Sequence, residues 1–227
     1  MLVTLPEILD ADQLALVRGI LNDGRFAEGR GSAGEQARRD KHNEELVPDE
    51  EQSSRLNSMV MGSLVRHPVY LNAGLPHRVA VPYYSRYREG MRYGLHVDDP
   101  VMGMGPDPRT RYRCDLAITV FLSGQEDYDG GELVIHTEFG PRNVKLPAGD
   151  GVMYPASSLH EVRQVTRGER LAAVTWMQSM VPGAGQRELL YQLWLAREEL
   201  RRHAPEADST RRVDRSYLNL VRMWSRV

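Results

Sequence analysis

Short apolar runs separated by glycine, proline and aspartate fill the chain from about residue 78 to residue 181, and they limit it to one class of fold. The runs lie at residues 79–87, 115–123, 130–140, 142–156, 159–165 and 170–179. Many short strands at this spacing predict an antiparallel β-sandwich or barrel. Arg167–Glu169 is expected to be a turn between the last two runs. Residues 115–123 are apolar at consecutive positions, which predicts a strand covered on both faces.

Helical patterns precede this block. Residues 10–22 predict a helix that Asp10 caps, with Gln13 at the capping-box position. Residues 49–65 predict a second helix, because apolar residues recur every four positions. Between them, residues 27–45 are rich in glycine and charge, and we expect a loop or a solvent-exposed strand pair that contributes nothing to the core.

Helical patterns return after the β block. Residues 186–202 and 213–226 predict two helices, joined by a polar linker at 203–212. The fold class is therefore mainly β with flanking helices (α+β). We expect a domain at residues 1–181, with the N-terminal helices packed on its sheets, and a C-terminal helical extension at 182–227.

Composition describes an ordinary globular protein and excludes several classes. The chain has 227 residues, 41% of them hydrophobic, and a net charge of −2, which gives no electrostatic reason to expect nucleic acid as a partner. Cys114 is the only cysteine, so no intrachain disulfide can form and a reducing compartment is expected. The N-terminus lacks the basic start of a signal peptide, and no apolar run approaches ~18 residues. We expect a cytoplasmic protein without a membrane span.

Three histidines precede an acidic residue by two positions: His42, His96 and His136, followed by Glu44, Asp98 and Glu138. On a strand such a pair projects from one face and could bind a divalent metal. The His42 pair lies in the charged, glycine-rich segment, which favours a solvated loop. The His136 pair has no evident third ligand, which favours a plain sheet-edge position.

The His96 pair differs because two residues further along the chain can complete a site with it. His160 begins a short strand, and Arg170 lies ten positions later at the start of an apolar strand. Two histidines and a carboxylate are the ligand set of non-haem Fe(II) oxygenases. An arginine on an apolar inward face is costly unless an anion pairs with it, and a carboxylate fits its guanidinium fork. A strand-end arginine that reaches solvent is the alternative for Arg170.

Four segments resemble the PKHD-type hydroxylases, which are Fe(II)/2-oxoglutarate dioxygenases related to the prolyl 4-hydroxylase catalytic domain. The segments are residues 93–100 (YGLHVDDP), 115–135, 144–181 and 217–227 (YLNLVRMWSRV). The charged residues 38–46 are also similar, so the resemblance covers essentially the whole chain. It implies a double-stranded β-helix, or jelly roll, flanked by helices.

The resemblance also implies roles for individual residues. His96, Asp98 and His160 would bind Fe(II), with Asp99 as the minor alternative to Asp98. Arg170 would pair with the distal carboxylate of 2-oxoglutarate.

The resemblance also concerns two aromatic positions near the expected cosubstrate pocket. Tyr87 resembles a cosubstrate-pocket tyrosine, although a core aromatic is as good an interpretation. Phe121 stands where some relatives have a second tyrosine, so Arg170 must act alone or with another residue.

The same resemblance implies Fe(II) as cofactor, 2-oxoglutarate and O2 as cosubstrates, L-ascorbate as an aid to turnover, and a link to iron homeostasis. The primary substrate, peptide or small molecule, is not specified by the sequence. Two other functions stay open. One is an oxidative demethylase of nucleic acid, which the near-neutral charge disfavours. The other is a non-catalytic sensor of metal or 2-oxoglutarate, which the complete ligand set disfavours.

Two further features allow alternative interpretations. Arg109, Arg111 and Arg113 alternate in the loop at 99–114, where they would receive an anionic substrate or form a solvated charge run. Trp194 and Trp224 in the C-terminal helices would pack on the barrel or form a homo-oligomer surface.

Overall fold

The computed structural model describes residues 1–32, 34, 37–103 and 110–227. Its α-helices are α1 (Ala11–Asp23), α2 (Glu50–Leu64), α3 (Pro68–Gly74), α4 (Ala184–His203) and α5 (Asp208–Trp224). Two 3-10 helices span Gly29–Ser32 and Ala37–Asp40. The strands are β1 (Val3–Leu5), β2 (Phe26–Glu28), β3 (Lys41–His42), β4 (Glu44–Leu46), β5 (Pro76–Val79), β6 (Tyr83–Arg88), β7 (Arg92–His96), β8 (Val101–Met102), β9 (Tyr112–Arg113), β10 (Leu116–Phe121), β11 (Tyr128–Gly130), β12 (Leu133–Thr137), β13 (Gly140–Val144), β14 (Gly151–Pro155), β15 (His160–Val162) and β16 (Val165–Ser179).

The strands form two main antiparallel sheets. The larger follows the order β1-β14-β10-β16-β6-β4-β2, with β11 and β5 also paired to β16. The smaller follows the order β13-β12-β15-β7-β3, and β8 pairs with β9 separately. The predicted β-rich fold with flanking helices is confirmed.

The central strand β10 explains how the layers are held together. Leu116, Ile118 and Val120 belong to the core cluster that also contains residues of α1, α2 and α3. Ala117 and Phe121 belong to a second cluster, which includes residues of β12 and β15 from the smaller sheet. Alternate residues of a strand face opposite ways, so β10 is covered on both sides, as predicted.

The N-terminal helices follow the sequence signals closely. Asp10 caps α1 and Asp49 caps α2, and each forms a capping box with the glutamine three positions later. Helix α3, which His67 caps and Pro68 begins, was not predicted, because seven residues are too few to show a helical period.

The C-terminal helices pack against the end of β16. Leu190, Tyr217 and Val181 form a buried cluster against which Trp194 and Trp224 pack, as the packing interpretation predicted. Helix α5 begins at Asp208, inside the expected linker. The division at residues 181 and 182 stays a prediction.

Two expectations about loops were wrong. The segment Arg167–Glu169 is not a turn, because β16 runs through it and pairs with β11, with Gly168 opposite Tyr128. Gly168 has φ +75°, and a Cβ there would overlap the carbonyl oxygen of Asp127, so only glycine fits. A bulged strand therefore gives the same glycine signal as a turn.

The second correction concerns residues 27–45, which were expected to add nothing to the interior. They contain β3 and parts of β2 and β4, and β4 pairs with β6 of the large sheet. Lys41 and Asn43 are 5% and 3% exposed. Polar residues can face inward when they line a cavity, and composition alone does not reveal this.

No helix among the described residues is both long and apolar enough to cross a membrane.

The packing of α2 on the large sheet provides a test of this architecture. Leu56 is fully buried in the core cluster, and we expect Leu56→Ala to lower the free energy of unfolding by about 2–5 kcal/mol. Leu16 on α1 is 55% exposed, so Leu16→Ala is the control and should change stability by less than about 0.5 kcal/mol. Urea unfolding measures both, and equal losses would contradict the described core.

Candidate metal centre and cleft

The register of two neighbouring strands brings together residues that are far apart in the sequence. In the β15–β7 pair, His160 lies directly opposite His96. Asp98 follows two residues after His96, just beyond the end of β7, so it reaches the same place from a loop and not from the strand face. One ligand atom from each of the three lies within 4.8 Å of the others, and no other such group of His, Cys, Asp or Glu occurs among the described residues.

Both imidazoles are oriented by backbone carbonyls. His96 Nδ1 lies 2.7 Å from the Gly94 oxygen, and His160 Nδ1 lies 2.9 Å from the Ser158 oxygen. A carbonyl can only accept, so each Nδ1 donates and each Nε2 keeps its lone pair. The two Nε2 atoms lie 3.9 and 3.7 Å from Asp98 Oδ1. This is the donor arrangement that a divalent metal needs.

Electrostatics favours the metal-binding form of the histidine. Burial, together with the neighbouring His160, lowers the pKa of His96 to about 3, so its imidazole is neutral at neutral pH. Burial raises the pKa of Asp98, while the neighbouring His160 and the Trp176 indole N–H act in the opposite direction. Asp98 Oδ2 accepts no hydrogen bond of standard geometry. A buried carboxylate oxygen without a partner fits a site that a cation completes.

Arg170 lies deeper in the same cleft. It stands opposite Tyr87 in the β16–β6 pair and is 1% exposed. It forms no ion pair with any described carboxylate, and its Nε has no acceptor. Its guanidinium carbon lies 5.2 Å from the Tyr87 ring centroid and 5.5 Å from that of Phe121. A buried cation without a counter-ion fits an anionic ligand, and the alternative of a solvent-reaching arginine is wrong.

Tyrosine hydroxyls surround this arginine. Burial raises the pKa of Tyr87 to about 12, and the Arg170 charge opposes this rise. Burial also raises the pKa of Tyr128, again opposed by Arg170. Tyr128 is fully buried, and its hydroxyl has no partner of standard geometry. Because Phe121 carries no hydroxyl, the phenols that the Arg170 charge affects are those of Tyr87, Tyr128 and Tyr154.

The three candidate metal ligands and Arg170 line one cleft. The residues that also line it and that sequence reasoning did not single out include polar Lys41, Glu45 and Thr119 and aromatic Tyr93, Tyr154 and Trp176. Trp176 could have been found, since it shares the inward face of β16 with Arg170. Lys41 and Glu45 lay in the segment that composition assigned to solvent, so no local signal pointed to them.

The other candidate ligands lie elsewhere. The His42 ring is exposed and sits 3.3 Å from Arg30 Nη2. His136 is on β12, which pairs on both sides and so is not a sheet edge, and it joins no ligand group among the described residues. Asp99 lines the cleft but does not belong to the group of three ligands.

Two of the three loop arginines, Arg111 and Arg113, do not lie at the cleft. Arg113 forms two hydrogen bonds with Asp115, at 2.6 and 2.9 Å. The Arg111 carbonyl accepts from Arg78, and neither Arg111 nor Arg113 lines the cleft. Arg109 lies outside the described residues. Arg111 and Arg113 therefore give no support to the predicted row of arginines that receives an anionic substrate.

Comparison with known proteins identifies the family. Residues 82–178, which include His96, Asp98, His160 and Arg170, match the family model described as the 2OG-Fe(II) oxygenase superfamily. The chain is 50% identical to a PKHD-type hydroxylase of Thioalkalivibrio sulfidiphilus over all of both chains. The chain belongs to the PKHD-type hydroxylases. It is also 44% identical to a PKHD-type hydroxylase of Verminephrobacter eiseniae over 99% of each chain.

Solved structures agree on the fold. A Burkholderia pseudomallei oxidoreductase of the 2OG-Fe(II) oxygenase family has a TM-score of 0.53 at 19% identity, covering 77% of this chain and 82% of that one. A Trichoplax adhaerens prolyl hydroxylase has a TM-score of 0.56 at 16% identity, covering 78% and 82%. The predicted jelly roll and the predicted class of Fe(II)/2-oxoglutarate-dependent dioxygenase are confirmed for this PKHD-type hydroxylase.

Metal binding distinguishes the proposed ligands from the other histidines. Mn(II) at about 100 times its Kd should stabilise the protein by ~2.7 kcal/mol. That corresponds to a rise in Tm of about 5–10 °C for a chain of this length. His160→Ala should abolish the rise, while the control His136→Ala should keep it, because His136 lies outside the ligand group. A full rise in His160→Ala would contradict the assignment.

Proposed function

We propose that this hydroxylase oxidises a substrate C–H in the cleft, using Fe(II) held by His96, Asp98 and His160 and 2-oxoglutarate held by Arg170. One observation carries the proposal: three metal-type ligand atoms and a buried guanidinium without a counter-ion line the same cleft. When bound, Fe(II) supplies the reaction of O2 with 2-oxoglutarate that yields succinate, CO2 and a hydroxylated product.

The three ligands would hold the metal on one face. Each imidazole offers Nε2 because its Nδ1 proton is engaged by a carbonyl, and Asp98 offers Oδ1, which lies near both Nε2 atoms. Three protein ligands leave three octahedral positions for cosubstrate and O2. The carboxylate of Asp98 also supplies one of the charges that balance a divalent ion.

Arg170 would hold the distal carboxylate of 2-oxoglutarate. The guanidinium offers a planar pair of donors, and its burial strengthens a charge-assisted hydrogen bond. Tyr87 and Tyr154 line the cleft within reach of the Arg170 charge, and their hydroxyls can donate to the same carboxylate. Burial keeps both phenols protonated at neutral pH, which is the form that donates.

Aromatic and aliphatic side chains would keep water from the reacting centre. Leu133, Val174 and Trp176 line the same cleft as the arginine and the proposed metal ligands. A dry wall strengthens the electrostatic contacts within it and protects a reactive oxidant from side reactions. The space that cosubstrate does not fill would receive the primary substrate.

Several finer predictions stay predictions. They are the need for L-ascorbate, the link to iron homeostasis, the cytoplasmic location, homo-oligomer formation and the absence of a nucleic-acid partner.

Anaerobic titration tests the proposal. Fe(II) and 2-oxoglutarate together should give wild-type protein a visible metal-to-ligand charge-transfer band, and admission of O2 should release succinate. His160→Ala should lose the band because it lacks a ligand. Wild-type protein with neither band nor succinate would refute the proposal. A band without turnover across a broad substrate panel would favour the non-catalytic sensor.

A substitution of Arg170 tests its proposed role in binding 2-oxoglutarate. Arg170→Met should leave Mn(II) binding intact and weaken 2-oxoglutarate binding on the order of 10–100-fold, because a charged hydrogen bond contributes about 1.5–3 kcal/mol. The control is Arg167→Met on the same strand, whose side chain pairs with Asp129 at the surface. The charge-transfer band, titrated with 2-oxoglutarate, measures both. Unchanged affinity in Arg170→Met would place the distal carboxylate elsewhere.

A further inference from the structure

The metal ligand His96 is in contact with a residue that has no place in the ligand set. The ring of Tyr93 stacks on the His96 imidazole, with centroids 3.7 Å apart and planes 18° apart. His160 approaches with its ring centroid 4.2 Å from that of His96, and the Gly94 carbonyl holds Nδ1. The imidazole therefore has little freedom to rotate.

A bulge makes this stack possible. In the β15–β7 pair, His160 faces His96 while Val162 faces Tyr93, so β7 carries one more residue than β15 over this stretch. Residues three apart would otherwise point to opposite faces of a strand. The bulge turns Tyr93 to the same side as His96, and bulges often re-aim side chains near active sites.

Gly94 lets the N-terminal segment come close to this bulge. A Cβ at Gly94 would overlap the Asp40 carboxylate. Asp40 forms an ion pair of 2.7 Å with Arg92, at the start of the same strand. The segment before β3 is thus fitted against the strand that carries the metal ligand.

Tyr93 is supported from behind by Lys41, its direct partner in the β3–β7 pair. Lys41 Nζ lies 5.2 Å from the Tyr93 ring centroid, within the range of a cation–π contact. The ammonium donates to Ser32 Oγ at 2.6 Å and to Glu45 Oε1 at 2.5 Å. Ser32 Oγ also donates to Glu45 Oε1, at 2.7 Å. We name Ser32, Lys41 and Glu45 the anchor cluster.

The anchor cluster also joins the two sheets, because Lys41 belongs to the small sheet and Glu45 to the large one. A buried ion pair is a costly way to join two sheets, and apolar residues often do so at lower cost. A cation near a divalent metal also opposes binding of the metal, and Glu45 offsets that charge. A purely structural role does not account for placing this pair in the wall of the metal cleft.

We infer that Tyr93 is a positioning residue for the metal ligand His96, and that the anchor cluster holds Tyr93 against the imidazole. The inference rests on the proposed metal centre. By limiting ring rotation, Tyr93 keeps the His96 Nε2 lone pair directed at the ion. The N-terminal segment is in this way part of the metal centre, although it supplies no ligand.

The test measures metal affinity and not turnover. Tyr93→Leu, which removes the stacked ring, should raise the Kd for Fe(II), measured anaerobically, on the order of 10–100-fold, as is usual for partners of metal ligands. Tyr93→Phe keeps the ring and should bind Fe(II) almost as wild type does. The control Tyr191→Leu removes a tyrosine stacked on Trp194 in α4, far from the cleft, and should leave the Kd unchanged.

A second variant tests the anchor cluster. Glu45→Gln leaves the Lys41 charge uncompensated beside the metal, so Fe(II) binding should weaken, and the double variant Lys41→Met/Glu45→Gln should recover part of that loss. Thermal unfolding of the metal-free variants shows whether each one is folded. The charge-transfer band of the 2-oxoglutarate complex should shift in Tyr93→Leu and return to its wild-type position in Tyr93→Phe, which a merely structural role does not predict.

The possible results distinguish a failure of the role inferred for Tyr93 from a failure of the proposed function. Wild-type Fe(II) affinity in folded Tyr93→Leu would overturn the inference and leave the proposed function intact. Equal losses in Tyr93→Leu and Tyr93→Phe would overturn it too, because the hydroxyl and not the stack would then matter. If Tyr93→Leu does not fold, unchanged affinity in Glu45→Gln overturns the role of the anchor cluster. Wild-type protein that binds no Fe(II) refutes the proposed function itself.

Discussion

The pairing of β15 with β7 is the constraint on which the rest of the site depends. It sets His160 opposite His96 although 64 positions separate them in the sequence, and Asp98 follows from the same strand end. A shift of one residue would turn one imidazole to the outer face. The flanking pairs β12–β15 and β3–β7 hold this register from both sides, so even strands without a functional side chain keep the proposed ligands together.

The second sheet fixes the other end of the cleft. Arg170 and Tyr87 are direct partners on β16 and β6, and Tyr87 packs in the cluster shared with the small sheet, while a helical layer covers the opposite face of the large sheet. The helices α1, α2 and α3 provide that layer. A cation 1% exposed is tolerable because the structure around it is rigid and a ligand can satisfy it. Stability from the helices thus supports a charge arrangement that would be costly by itself.

The sequence predicted the parts of this molecule that depend on local pattern. Strand punctuation, the Asp10 cap, and the grouping of His96 with Asp98 and His160 are such features, and the structure brings those three residues together. It did not predict the Arg167–Glu169 strand, because a glycine with positive φ occurs in bulges and turns alike. Nor did it predict that Lys41 and Glu45 line the cleft. Their burial comes from contacts with strands far along the chain, and a charged, glycine-rich segment carries no periodicity from which such contacts can be inferred.

Because of those long-range contacts, the N-terminal segment belongs to the site as well as to the scaffold. β3 pairs with the small sheet and β4 with the large one, and Ser32, Lys41 and Glu45 line the cleft. The N-terminal segment therefore contributes to the wall of the cleft and contacts Tyr93, which stacks on the first proposed ligand. A metal site built from two imidazoles binds its ion more tightly when both rings are already fixed. Their conformational entropy is then lost when the protein folds and not when the metal binds. In this fold the fixed ring is obtained by packing an aromatic residue on it, at the cost of burying a lysine and a glutamate behind that residue.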